Sequence, residues 1–164
     1  MRGMTAAMVA AATCLQGWGQ APLFQEPKAP GARVEAVQYL YPEQVTLEAG
    51  KARAVELHFR VAPGLHINSH HPKDSFLIPT TFSLPEGAGV ELVSAEYPAG
   101  VEYTLPADPS TKLTVFTGEF AIETRLTATA GDHLVQAKLR YQACDETQCM
   151  PPKTITVPID VVAK

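Results

Sequence analysis

At 164 residues, 46% of them hydrophobic and 18% charged, the chain is one domain's worth. It is long enough to bury roughly two-thirds of its unfolded surface without help from staples. A net charge of −4 with no basic stripe argues against nucleic-acid partners, and no apolar run reaches the roughly 20 residues that a spanning helix needs.

Met1 to Thr5 carries one positive charge, Arg2, and Ala6 to Leu15 is a short alanine-rich apolar run followed by Gly17, Gly19 and Ala21. That pattern predicts a secretory signal peptide over 1–21. Lipidation of Cys14 is the rival reading, for which Ala11-Ala12-Thr13 is a poor context. Cleavage removes one of the three cysteines and Arg2, leaving 12 basic against 17 acidic residues, a net charge of −5. The expected destination is the periplasm or another exported, oxidising compartment, where disulfides persist. Residues 22–35 are rich in proline and glycine with little periodicity and read as a flexible linker.

From Ala36 to the end, residues 36–164, the chain is a series of short β-patterned runs. Val45 and Leu47 precede a turn at Ala49-Gly50. Val55, Leu57, Phe59 and Val61 then alternate with Glu56, His58 and Arg60 up to Pro63-Gly64. Leu65 to Ile67, Phe76 to Leu84, Val90 to Tyr97, Leu113 to Phe116, Glu119 to Leu126, His133 to Tyr141 and Thr154 to Val162 continue the series. Eight or nine strands with no helical-period segment outside the signal predict an all-β, immunoglobulin-like sandwich. Pro79 and Pro158 fall inside runs, which places those strands at edges or bulges.

The last two runs are arms of a hairpin. Val135, Ala137, Leu139 and Tyr141 face one way on the first arm, and Ile155, Val157, Ile159 and Val161 alternate on the second. Between them lie Cys144 and Cys149, separated by four residues. Antiparallel arms bring the thiols within the 4.4–6.8 Å Cα separation usual for a disulfide, roughly. Exchange needs one sulfur that a partner thiolate can attack and a second that resolves the mixed disulfide; the two cysteines supply both. No C-x-x-C at a helix N-terminus depresses a thiol pKa, and Asp145 and Glu146 favour the protonated thiol. Pro151 and Pro152 withhold two backbone donors and stiffen the returning strand.

The alternative is a plain structural bridge in a non-catalytic binding module. A closed loop of about six residues stabilises by only about 2 kcal/mol, against about 4.7 for 100 residues, so a bridge meant for stability would gain more between distant strands.

Tyr141-Gln142-Ala143-Cys144 followed by Cys149-Met150-Pro151-Pro152, closing an exported all-β domain, resembles the family of the N-terminal periplasmic domain of the bacterial thiol:disulfide interchange protein DsbD. The likeness extends through Gly64 to Ser69, Phe76 to Thr81 and Tyr97 to Gly100. It implies an immunoglobulin-like sandwich that relays reducing equivalents between thioredoxin-like donors and acceptors, in the service of processes such as cytochrome c biogenesis. By the same resemblance Cys149 forms the mixed disulfide and Cys144 resolves it. The family's cap loop would fall near Tyr103 to Pro109, where its aromatic signature is not reproduced. The membrane and thioredoxin-like domains of the full protein have no counterpart here, so the electron donor is expected on a separate chain.

His66, His70 and His71 cluster near a strand end, and with a thiol or Met150 they form the one group worth weighing as metal ligands. Adjacent His70 and His71 would point to opposite faces if extended, and no zinc spacing accompanies them; neither a metal nor another cofactor is expected. His58 and His133 read as surface residues. Tyr141 alternates with the core, while Gln142 is placed to shape the thiol surroundings. No hydrolase triad or phosphate-binding loop is present.

Overall fold

The computed structural model describes residues 35–40, 44–106 and 108–164. The signal peptide, Cys14 and all but the last residue of the linker lie outside them. Among the described residues there is no helix, and twelve strands run in chain order: β1 Val37–Leu40, β2 Gln44–Leu47, β3 Arg53–Val61, β4 His66–Asn68, β5 Thr81–Ser83, β6 Val90–Glu96, β7 Val101–Leu105, β8 Asp108–Phe116, β9 Glu119–Ala128, β10 Gly131–Tyr141, β11 Ala143–Cys144 and β12 Lys153–Ala163. The fold is all-β, as expected. The excess over eight or nine strands is β1, β7 and β11.

The strands form three four-stranded sheets, ordered β1-β3-β9-β6, β2-β12-β10-β5 and β11-β4-β8-β7. Alternation builds them. On β3, Leu57, Phe59 and Val61 are buried while Glu56 and Arg60 are exposed; on β10, Val135, Ala137, Leu139 and Tyr141 turn inward. With Val157, Ile159 and Val161 of β12 and Ile122 and Leu126 of β9 they make one continuous core, to which Ile67 and Phe116 of the third sheet also belong.

Two proline expectations resolve differently. Pro158 sits in β12, an inner strand, opposite Gln136 of β10. On its other side β12 meets β2 only from Asp160 to Ala163, so the missing N–H of Pro158 falls where that side is open. Pro79 is in no strand at all. Only Thr81–Ser83 of the Phe76–Leu84 run pairs with β10, and Phe76 stands 77% exposed.

The hairpin of β10 and β12 is paired along its whole length, Gly131 opposite Ala163 and Tyr141 opposite Lys153. Beyond Tyr141 the first arm leaves its sheet. Ala143 pairs with Ile67 and Cys144 with His66, making β11 the edge strand of the third sheet. The segment bearing the cysteines thus spans the corner between two sheets.

Candidate functional site

Cys144 and Cys149 are joined by a disulfide, Sγ to Sγ 2.02 Å, their Cα atoms 4.0 Å apart, and they face each other across an isolated antiparallel bridge. The turn between them is built by Asp145. Its Oδ1 accepts the backbone amides of Thr147 and Gln148 at 2.7 and 2.8 Å and the Thr147 hydroxyl at 2.8 Å. The amide of Asp145 donates to the carbonyl of Gln148, and that of Met150 to the carbonyl of Ala143. These bonds, led by the Thr147 amide, hold the Asp145 carboxyl below the usual carboxylate range. A residue expected to favour the protonated thiol is the fastener of the loop, as the short side chain of aspartate in a turn allows.

The two sulfurs are inequivalent. Cys144, inside the third sheet, is 2% exposed, whereas Cys149 lies in the exposed run from Glu146 to Thr154. Cys149 is therefore the more accessible of the two.

Gln142 supports the loop from beneath. Its Nε2 donates to the carbonyl of Met150 at 3.2 Å, and its Oε1 accepts from Asn68 Nδ2 at 3.4 Å. The same Asn68 nitrogen reaches the carbonyl of Ile78 at 3.0 Å, and Thr80 Oγ1 donates to the Asn68 carbonyl at 2.6 Å. Asn68 thereby ties the cysteine loop to the segment before β5, a role its sequence position does not advertise. Tyr141, 1% exposed, is core.

The histidines separate. His66 is 2% exposed and lies under the ring of Tyr103, centroids 4.3 Å apart. Burial lowers its pKa, outweighing the opposite pull of the Asp145 carboxylate. His70 stacks on Tyr97 at 3.8 Å, and its Nδ1 lies 2.8 Å from the carbonyl of Thr80. His71 meets His70 edge-on at 4.5 Å. The two do not point to opposite faces, because residues 70–71 form a bend rather than a strand. Among the described residues no three His, Cys, Asp or Glu side chains converge as a metal site would need. His58 leans to the Glu56 carboxylate at 3.4 Å, and His133 Nε2 lies 2.8 Å from the carbonyl of Thr129.

Of the segment Tyr103 to Pro109, Tyr103 to Leu105 lie on β7 and Asp108 and Pro109 on β8, with Tyr103 opposite Leu113, while Ala107 lies outside the described residues. On β7, Glu102 sits 3.3 Å from both Lys73 and Lys112. Tyr103, Leu65, His66 and Glu146 help line an open cleft of about 520 Å³ beside the cysteine loop. Neither Tyr103 nor His66 stood out beforehand as part of the thiol site. The one available signal was a histidine and an asparagine flanking Ile67 in an otherwise apolar run.

The sequence matches, over residues 36–160, the family model described as "Thiol:disulfide interchange protein DsbD, N-terminal". No curated protein sequence matches it. Among solved structures it is similar to the N-terminal domain of Neisseria meningitidis DsbD in the reduced form, at 19% identity and a TM-score of 0.44, covering 63% of this chain and 74% of that one.

Proposed function

Because this chain belongs to the family of the N-terminal domain of the thiol:disulfide interchange protein DsbD, we propose that Cys144 and Cys149 are its exchanging pair and that Cys149 is the sulfur partners meet. The chain is a thiol–disulfide exchange domain, and its family works with thioredoxin-like partners in the periplasm. The observation that carries the assignment is the asymmetry of exposure, Cys144 buried and Cys149 open. A partner thiolate attacks Cys149 Sγ, the bond to Cys144 breaks and Cys144 takes the electron pair. The partner's second thiol then attacks the mixed disulfide, leaving both domain cysteines reduced and the partner oxidised. Toward an acceptor disulfide the sequence runs in reverse.

The expected organisation is a signal peptide over 1–21, a linker over 22–35 and the sandwich over 36–164. Cys144→Ala removes the resolving thiol and should accumulate a mixed disulfide through Cys149 with a thioredoxin-like protein, which Cys149→Ala should not. Equal absence of trapping in both variants, with loss of the folded state on reduction, would establish a purely structural bridge.

A further inference from the structure

Directly opposite Cys144, in antiparallel register on β4, stands His66. Opposed residues of an antiparallel pair project to the same face with Cβ atoms about 4.5–5.5 Å apart, so imidazole and sulfur project to the same face of the third sheet. Both are 2% exposed. His66 Nε2 is buried without a hydrogen-bond partner, an arrangement that calls for a reason. Reduction supplies one, because the Cys144 sulfur then acquires a proton that must leave again before it can attack.

The surroundings suit a base. Tyr103 of β7 packs against the ring at a tilt of 32°. Burial keeps the imidazole neutral at neutral pH despite Asp145. The other charged groups at the cleft are Glu146 beside Asp145, and Arg60 and Glu119, which pair with each other.

We propose that His66 is the proton acceptor for Cys144; the inference rests on the exchange reading above. In the resolving step Cys149 is joined to the sulfur of a thioredoxin-like acceptor. The Cys144 thiol gives its proton to His66 Nε2, the other ring nitrogen carrying the resident hydrogen, while its sulfur bonds to Cys149 Sγ. The bond between Cys149 and the acceptor breaks, and the acceptor's sulfur departs with the electron pair as a thiolate, which the imidazolium or water then protonates. When a donor dithiol reduces the domain, His66 Nε2 takes up a proton released by the donor's thiol and passes it to the departing Cys144 sulfur, so the imidazole is neutral again at the end. Two electrons and two protons move in each full exchange, all supplied by the dithiol.

The two steps separate if the reduced chain is mixed with a chromogenic aromatic disulfide. A first release of coloured thiolate, proportional to reagent concentration, reports attack by Cys149; a second, independent of concentration, reports resolution by Cys144. His66→Gln and His66→Phe should each leave the first release unchanged and slow the second by about 10-fold or more at neutral pH, below the full range available to a positioned base. The second release of the wild type should be level at neutral pH and fall below the ordinary imidazole value. In both variants it should climb with pH toward the thiol pKa. A wild-type profile without that inflection, a smaller slowing in both variants, or a wild-type rate in His66→Phe would overturn the assignment. The last would make the ring a packing element only. Absence of the first release would instead remove the exchange reading itself, and this inference with it.

Discussion

Gln148 donates its backbone amide to Asp145 Oδ1 at 2.8 Å, inside the turn that separates the two cysteines. The bond does not pass through either sulfur, so the turn is held independently of the disulfide. Reduction should therefore leave the amides of Thr147 and Gln148 protected from hydrogen exchange. In Asp145→Ala both should exchange rapidly in the reduced state, and the pair should be easier to reduce because the thiols lose their fixed proximity. Rapid exchange in the reduced wild type would show that the bridge, and not Asp145, organises the loop.

Cleaving the bridge should cost little overall. Its closed loop is short, so the chain-entropy estimate is about 2 kcal/mol, small against the 5–15 kcal/mol typical of a domain, roughly. The continuous core drawn from all three sheets does not depend on the bridge. Urea unfolding with and without reductant tests this: a modest drop in midpoint with an unchanged β-type circular dichroism spectrum is expected, and collapse of the transition on reduction would contradict it.

Acid should destabilise the domain in two separated windows. His66 has a folded pKa below its ordinary value of about 6.5, so between the two the unfolded chain binds a proton that the native one does not. Stability then falls as pH drops below the ordinary imidazole value. Asp145, Asp108 and Glu102 have depressed folded pKa values, owing chiefly to the Thr147 amide, the Ser110 hydroxyl and the Lys112 ammonium respectively. Their contributions are present above the ordinary carboxylate range and are lost as pH falls through the folded values. Denaturant midpoints across pH should show both declines, and His66→Phe should abolish only the upper one.

Tyr97 accepts the backbone amide of Phe82 on its hydroxyl at 2.7 Å, while its ring carries His70. Tyr97→Phe keeps the stack and removes the acceptor, leaving the amide of a 6% exposed residue without that partner. The expected loss is about 1–3 kcal/mol, read from equilibrium unfolding. No measurable change would mean that the amide finds another acceptor.

The long strands were legible because their residues decide their faces locally. Leu57, Phe59 and Val61, or Val135 to Tyr141, alternate so strictly that one face must be buried, and the same hairpin pattern brought Cys144 and Cys149 together. β7 was not legible: Val101 is 52% exposed, and Tyr103 earns its place only by covering His66 from two strands away. β11 is two residues long and exists because β4 offers them an edge. In β4 all three residues are buried, so alternation carries no information there. His66 groups by sequence with His70 and His71 until tertiary register sets it against a sulfur. Asp145 reads only as a charge beside a thiol, because side-chain to backbone bonds within a turn leave no periodic trace.

The pairings also differ in how much chain they must close. β10 meets β12 across the short cysteine turn, whereas the parallel union of β12 with β2 joins Gln44–Leu47 to Asp160–Ala163 and encloses nearly the whole domain. Closing the smaller loop costs less entropy, and non-local contacts are the slow ones. We predict that the terminal hairpin assembles first and that Cys144 and Cys149 are neighbours before the sandwich exists, so the bridge can close before the long-range contacts form. Pulsed hydrogen exchange during refolding should find the β10 and β12 amides protected ahead of those in β2. Simultaneous protection would mean that the long-range closure, and not the hairpin, starts the fold.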